Sequence, residues 1–173
     1  MDTIEIGPAH PRDAERILQL QYAAYHLEAV RYNDFHLPPL TQTLEDLLAE
    51  YQTHTILVAR HSSGIAAGPD DEIVGSVRAR VVDGTAHIDR LVVVPAMHGR
   101  GIGRRLLWAV EQSTAPVDRY ELFTGHRSER NLRLYERAGY RRIRTEAQSN
   151  GLSLVYMEKV VNELARARTL ASK

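Results

Sequence analysis

The segment from Leu91 to Gly103 constrains the fold of this chain most strongly, because an apolar strand there passes through a glycine-rich turn into a helix. The glycines at positions 99, 101 and 103 allow backbone conformations closed to other residues and a close approach to a ligand. The first turn of the helix that follows leaves its N–H groups unpaired at the positive end of the helix dipole. Together these features predict a turn that binds a pyrophosphate group.

Three nearby arginines, Arg100, Arg104 and Arg105, would add positive charge where the phosphate oxygens lie. A simple turn beside a solvated arginine face is the alternative interpretation. Two other phosphate-binding motifs fit less well. A P-loop needs Gly-Lys-Ser/Thr, which the sequence lacks. A dinucleotide-binding turn needs a glycine where Leu106 stands, although Glu121 lies about 20 residues on, where a ribose-binding acid is expected.

Composition and charge narrow the class of protein. With 173 residues, 43% of them apolar, the chain is expected to fold as a single domain over residues 1–173. Lys plus Arg and Asp plus Glu both number 22, so no net charge draws the chain to nucleic acid or to a membrane surface. No apolar run approaches the ~20 residues of a membrane span, and Met1 to Ala14 carry charges and prolines, so a cytoplasmic location is expected. Cysteine is absent, which excludes a cysteine acyl-enzyme and thiolate metal sites.

The hydrophobic periodicity predicts an α+β fold with a mixed, mostly antiparallel sheet. A short strand at Ile4 and Ile6 precedes a helix that opens near Pro11, and a shorter helix begins at Thr43. Asp83-Gly84 is typical of a two-residue hairpin turn and predicts antiparallel strands at 73–82 and 86–94. The remaining expectations are strands at 56–59, 120–123 and 152–160, helices around Leu106 and Leu132, a glycine-rich excursion at 62–71, and a short helix or frayed tail at 162–173.

Two motifs in register give the chain a resemblance to the GNAT superfamily of acetyl-CoA-dependent N-acetyltransferases. The first is the turn His98-Gly99-Arg100-Gly101-Ile102-Gly103 with Val93-Val94-Pro95 before it; the family has glutamine or arginine where His98 stands. The second is Leu134-Tyr135-Glu136-Arg137-Ala138-Gly139-Tyr140, and Ser128 occupies the position where the family commonly has asparagine. The order of elements agrees with the family from about Ile4 to Val160.

The resemblance implies a GNAT-like mixed central sheet of about six to seven strands flanked by about four helices. It also implies that the two strands beside the turn separate, so that backbone groups near Val92 to Val94 pair with the pantetheine arm of acetyl-CoA. The residues that it assigns to cofactor binding are Val92, Val93, Val94, His98, Gly99, Arg100, Gly101, Ile102, Gly103, Arg104 and Ser128.

Tyr135 is the predicted proton donor to the leaving thiolate, because the resemblance places that tyrosine beside the sulfur. Helical periodicity alone favours a core tyrosine that packs with Leu132. His87 and Asp89 alternate on one face of the strand before the turn, and they align with positions where related acetyltransferases carry a base. A solvated face of the sheet is the alternative for this pair, and Glu121 on the next strand is a reserve candidate.

The acceptor is predicted to contact the first helix and the loop after it. Gln21, Tyr25, Glu28 and Tyr32 lie on one face of that helix, where aromatic walls and a carboxylate would suit a cationic amine. Glu121 is a further candidate for this site. A core face with a charged edge is the alternative interpretation.

The sequence therefore predicts an enzyme that transfers an acetyl group from acetyl-CoA directly to an amine, without a metal. The acceptor is expected to be a small molecule or a peptide, and the protein a monomer or a homodimer. Because His98 and Ser128 depart from the family motifs, a non-catalytic acyl-CoA sensor or regulatory subunit is the alternative.

Overall fold

The computed structural model describes residues 3–62, 72–148 and 151–161. Its centre is a seven-stranded sheet in the order β1-β2-β3-β4-β5-β7-β6. The strands are Thr3–Pro8 (β1), Thr55–Ser62 (β2), Glu72–Val82 (β3), Thr85–Val93 (β4), Arg119–Gly125 (β5), Arg141–Ala147 (β6) and Ser153–Val160 (β7). Only β4 and β5 pair in parallel among these described strands. The prediction of a mixed, mostly antiparallel sheet is confirmed.

Helices cover both faces of the sheet. They are Ala14–Tyr32 (α1), Pro38–Thr41 (α2), Leu44–Glu50 (α3), Ile102–Thr114 (α4) and Glu129–Arg137 (α5). A 3-10 turn at Pro11–Asp13 leads into α1, and α3 begins with a reciprocal capping box between Thr43 and Asp46. The short α2 was not predicted, because two prolines in its sequence were interpreted only as the end of the preceding stretch.

Two hydrophobic clusters hold the layers together. On one face α4 and α5 bury Leu106, Val110 and Leu132 against the sheet, with Tyr120 and Met157 beneath them. On the other face α1 and α3 bury a second cluster, formed by Ile17, Leu18, Leu47, Ile56, Val58, Ile73 and Val92. Burial of these side chains on both faces makes the sheet the rigid frame on which the loops are carried.

The hairpin between β3 and β4 follows the sequence prediction. Asp83 and Gly84 adopt φ angles of 47° and 73°, the left-handed pair that a tight antiparallel hairpin requires. The two strands pair antiparallel from Val82 and Thr85 onward, which confirms the predicted pairing.

The edge strand β6 was missed by the sequence analysis. All seven of its residues are exposed, so no apolar alternation marks the strand. Its arginines form ion pairs instead, Arg141 with Glu158 and Arg144 with Glu146. Such charges along an edge discourage pairing with another chain.

The strands β4 and β5 separate soon after they meet. They pair only where Thr85, Ala86 and His87 face Arg119, Tyr120 and Glu121, and no further pairing joins them in the described residues. Beyond that point each strand continues, β4 to Val93 and β5 to Gly125. A gap therefore opens in the middle of the sheet, directly before the glycine-rich turn.

Two expectations fall on parts of the chain outside the described residues, most of the excursion at 62–71 and the tail at 162–173. Across the described helices, none combines the length and the apolar character that crossing a membrane would need.

Glu111 joins α4 to β7 and to the residue that precedes β6, and this connection can be tested. Its carboxylate is buried and accepts hydrogen bonds from the Tyr140 hydroxyl at 2.8 Å and from Lys159 Nζ at 2.7 Å. Because Glu111→Ala leaves both donors without their acceptor, we expect it to lower the free energy of unfolding by about 3 kcal/mol, measured by urea denaturation.

Glu129→Ala is the matched control, since Glu129 pairs with Arg133 at 3.2 Å where both side chains are exposed. We expect that substitution to change the free energy of unfolding by less than about 0.5 kcal/mol. Equal losses in the two variants would contradict a special role for Glu111.

Candidate active site

The gap between β4 and β5 opens into a cleft of about 960 Å³. Helix α1 forms one wall, and the turn after β5 together with α5 forms the other. The side chains and backbone that line it include those of Tyr25, Glu28, Tyr32, Asp89, Arg90, Val93, His98, Ser128 and Tyr135. Half of the residues that the sequence analysis selected therefore line one cleft, whereas the turn from Gly99 to Arg104 lies outside its lining.

Tyr25 and Tyr135 meet at this cleft from opposite sides of the sheet. Tyr135 belongs to the core cluster under α5, and Tyr25 packs with the cluster under α1. Burial raises the pKa of Tyr135 far above its ordinary value, and the neighbouring Tyr25 raises it further. Burial also raises the pKa of Tyr25, while the charge of Arg90 opposes that rise. Both phenols therefore stay protonated at neutral pH.

Asp89 is a partly buried residue of the same cleft. Its Oδ1 atom is buried and has no hydrogen-bond partner in the described part of the chain. Burial raises the pKa of Asp89, although the positive charges of Arg90 and Arg78 act in the opposite direction. A carboxylate in this environment holds a proton more readily than an exposed one, which suits it to proton transfer.

Arg90 owes its place to a bulge in β4. Between Asp89 and Val92 the strand takes three residue steps against two on β3, and Arg90 adopts a left-handed φ of 51°. An extra residue of this kind re-aims the side chains beside it. Asp89 and Arg90 both line the cleft, as do their neighbours from Ile88 to Val93, and the Arg90 guanidinium carbon lies 5.8 Å from the centre of the Tyr25 ring.

The glycine-rich turn has the geometry of an anion site. Gly99 and Gly101 adopt left-handed φ angles of 79° and 76°, and Gly101 is the N-cap residue of α4. The first helical hydrogen bond runs from Arg105 N–H to the Gly101 carbonyl at 3.0 Å. The N–H groups of the three residues between them therefore have no acceptor within the helix. Arg100 and Arg104 stay exposed beside this turn.

His98 anchors the turn to the gap. Because the Val94 N–H donates to the Val74 carbonyl on β3 at 2.9 Å, the Val93 carbonyl of the same peptide points the opposite way, into the gap. His98 Nε2 lies 2.8 Å from that carbonyl, and the Arg130 guanidinium donates to His98 Nδ1. The ring is therefore neutral, with its proton on Nε2. Val93 therefore directs its backbone polar groups into the gap. The Val94 N–H instead donates to β3.

Glu28, predicted to bind the acceptor, and Ser128, predicted to bind the cofactor, form a hydrogen bond with each other. The Ser128 hydroxyl donates to Glu28 Oε2 at 2.8 Å, and Arg31 donates to Glu28 Oε1 at 2.6 Å. Both partners of this hydrogen bond line the cleft, and the bond joins α1 to the start of α5. Ser128 therefore binds α1, and the Glu28 carboxylate is already occupied by two donors.

Tyr32 lines the cleft and is held in place by close contacts. Its hydroxyl accepts the Arg127 N–H at 2.8 Å, and its ring packs so closely that a Cβ on Gly125 would lie 2.4 Å from the hydroxyl oxygen. The glycine at 125 is the sequence signal for this contact, and it was not recognised. Gln21, from the same predicted face, turns away from the cleft and binds the buried Arg78 together with Gln42.

His87 and Glu121 lie apart from the cleft. They face each other at the last paired step of β4 and β5, with 3.8 Å between His87 Nδ1 and Glu121 Oε2. Neither residue lines the cleft, and Glu121 also pairs with Arg119 at 3.3 Å. Strand alternation placed His87 beside Asp89 correctly, but the strands begin to separate only after His87, so the opening does not reach it.

Comparisons with known proteins agree with this geometry. The model of a family described as an acetyltransferase (GNAT) domain matches residues 26–161. The chain is similar to the PaiA N-acetyltransferase of Thermoplasma acidophilum solved with coenzyme A, at 16% identity and a TM-score of 0.71, covering 92% of this chain and 99% of that one. It is also similar to YncA of Salmonella typhimurium, a putative acetyltransferase solved with its cofactor acetyl-CoA (20% identity, TM-score 0.69, 93% and 95% covered). A putative acyl-CoA N-acyltransferase from Klebsiella pneumoniae shares 26% identity at a TM-score of 0.62, with 92% and 99% covered. The comparison with curated protein sequences gave no match.

The desolvated Asp89 carboxylate predicts a pH-dependent effect on stability. Because its pKa is raised in the fold, the folded state binds more protons than the unfolded chain between the two pKa values, and stability falls as pH rises through that interval. We expect Asp89→Asn to raise Tm at neutral pH, with the gain over the wild type disappearing below the ordinary pKa of an aspartate.

Asp46→Asn serves as the control of opposite sign. Hydrogen bonds from the Thr43 N–H and hydroxyl lower the pKa of Asp46, so its charge stabilises the fold above its ordinary pKa. That variant should lower Tm at neutral pH. A drop in Tm for Asp89→Asn as well would contradict the assignment of Asp89 as a destabilising buried charge.

Proposed function

This chain belongs to the acetyltransferase (GNAT) domain family, and on that premise we propose that it transfers an acetyl group from acetyl-CoA directly to an amine. The observation that carries the proposal is the gap between β4 and β5, which Val93, Asp89 and Tyr135 all line. An extended ligand arm can occupy such a gap as an additional strand, and Val93 directs its backbone polar groups there.

The turn before α4 would hold the pyrophosphate of the donor. Three unpaired N–H groups, at Ile102, Gly103 and Arg104, lie at the positive end of the helix. The left-handed Gly101 and Gly99 keep side chains away from this face, and a Cβ at either position would meet nothing within 4 Å. Two structurally similar proteins were solved with coenzyme A or acetyl-CoA, which supports this donor.

The bound donor supplies an acetyl thioester, whose sulfur must leave as a thiolate and gain a proton. Asp89 takes a proton from the acceptor ammonium, directly or through a water molecule, and thereby frees the nitrogen lone pair for attack. Because its pKa is raised, the Asp89 carboxylate is a better base at neutral pH than an ordinary aspartate. Since the chain has no cysteine, the acetyl group passes to the amine without a cysteine acyl-enzyme.

Tyr135 supplies the proton to the sulfur. Its buried hydroxyl stays protonated until a thiolate forms beside it, and the same desolvation raises the proton affinity of that thiolate. The nitrogen loses two protons as the amide forms. One of them restores the Tyr135 hydroxyl and the other reaches solvent, so that protons balance over the cycle.

Removal of the Tyr135 hydroxyl tests this assignment. Tyr135→Phe should lower kcat with acetyl-CoA and a reactive amine by about 100-fold, because a general acid contributes on that order. Its affinity for acetyl-CoA, measured by calorimetry, should change less than about 2-fold, since the ring that packs in the core is retained.

Tyr156→Phe is the control, because Tyr156 lies on β7 and does not line the cleft. Its kcat should stay near that of the wild type. Normal turnover by Tyr135→Phe would remove the tyrosine from the mechanism. Tight binding of acetyl-CoA by the wild type without any acetylated product across a broad panel of amines would instead favour a non-catalytic acyl-CoA-binding protein.

The phosphate turn can be tested with two glycines of equal backbone geometry. Gly101 and Gly151 have φ angles of 76° and 77°, and a Cβ would meet no atom within 4 Å at either position. Each alanine variant should lose about 1 kcal/mol of stability through the left-handed backbone.

The two variants should differ in their affinity for acetyl-CoA. Gly101→Ala should weaken binding by about 10-fold, because any shift of the N-cap residue misaligns the N–H groups of α4. Gly151→Ala should bind acetyl-CoA like the wild type in the same titration. Equal affinities in the two variants would argue against pyrophosphate binding at this turn.

A further inference from the structure

Two opposite charges lie side by side on one wall of the cleft. Asp89 and Arg90 are consecutive residues at the bulge in β4, and both line the cleft. The left-handed φ of 51° at Arg90 is a conformation that non-glycine residues rarely adopt. The fold thus keeps a large charged side chain at a position where glycine would be free of strain.

Each of these two side chains has a buried polar atom without a hydrogen-bond partner in the described part of the chain, although the two charges lie close to each other and Arg90 also contacts Tyr25. In the described residues Arg90 takes part in no ion pair, and its Nε atom is buried without a hydrogen-bond acceptor. Asp89 Oδ1 is likewise buried without a donor. Buried polar atoms without partners cost folding free energy, so each is expected to meet a group of the opposite charge on a ligand.

Several other charged groups of the cleft either have a hydrogen-bond partner or lie in solvent. Arg31 is bound to Glu28, and Arg130 is bound to His98. Asp34 accepts the N–H of His36 at 3.0 Å. Arg127 is exposed and lies over the Tyr32 ring at 5.9 Å.

We propose that the acceptor is a small α-amino acid, whose ammonium group binds Asp89 and whose carboxylate binds Arg90. This inference rests on the acetyltransferase function proposed above and names the substrate class of the same site. A guanidinium binds a carboxylate through two parallel hydrogen bonds, which fixes the orientation of the ligand as well as its charge. The ammonium is then held beside the group that removes its proton.

The architecture of the cleft favours a small acceptor. Two hydrogen bonds join α1 to the turn after β5 along this wall, Ser128 to Glu28 and the Arg127 N–H to the Tyr32 hydroxyl, each at 2.8 Å. These links hold the helix and the turn together beside Asp89 and Arg90. A peptide amine would also lack the adjacent carboxylate, since its first residue carries an amide there.

The test compares each of several L-amino acids with its amide, so that only the carboxylate changes. The wild type should acetylate the free acid with a kcat/KM about 100-fold above that of the amide, and Arg90→Gln should reduce this ratio to near one. Arg90→Lys keeps the positive charge but loses the two parallel hydrogen bonds of the guanidinium, so it should give an intermediate ratio. The change should lie mainly in the KM of the free acid.

Arg127→Gln is the matched control, because Arg127 is another arginine of the cleft that lies over a tyrosine ring. It should leave the ratio of acid to amide unchanged. A ratio near one in the wild type, or one that responds to Arg127→Gln instead of Arg90→Gln, would overturn the inference while acetyl transfer still stands. No acetylation of any amine, despite acetyl-CoA binding, would overturn the proposed function and this inference with it.

Discussion

The separation of β4 from β5 is the constraint on which the rest of this molecule depends. A sheet normally pairs its strands throughout, yet these two keep only three paired positions before they part. The Val93 carbonyl would be left without a partner there, and the His98 ring supplies one while it ties the glycine-rich turn to the strand. The open gap and the anion-binding turn are therefore parts of one unit.

The handling of charge differs sharply between the frame and the cleft. In the frame, the buried Arg78 donates to oxygens of Glu50, Gln42 and Gln21, although its Nε has no acceptor in the described residues, and Glu111 is satisfied by Tyr140 and Lys159. At the cleft, polar atoms of the consecutive residues Asp89 and Arg90 are buried without such partners in the described residues. Unpaired buried polar atoms are costly for stability, and the two at this wall face an open cleft where a ligand can reach them.

Much of the fold could be predicted because its signals are local. The hairpin at Asp83-Gly84 and the helix after Gly101 depend on backbone conformations that few residues other than glycine, asparagine and aspartate adopt readily. The edge strand β6 could not, since its exposed, arginine-rich sequence has no period. Side-chain partners were equally invisible: nothing local shows that Ser128 binds Glu28, 100 positions earlier, or that Tyr32 needs a glycine at 125.

The sequence by itself determined the order of strand, turn and helix around Gly99 to Gly103, because short-range patterns encode backbone geometry, whereas Tyr135 was predicted through the family resemblance. Only the tertiary structure decided which polar side chains reach the cleft. His87 and Asp89 are equivalent in strand alternation, but the strands part only after His87, and the bulge then turns Arg90 in beside Asp89. Whether a charged side chain has a protein partner depends on residues that are distant in the chain. Those residues come close only when the helices pack on the sheet.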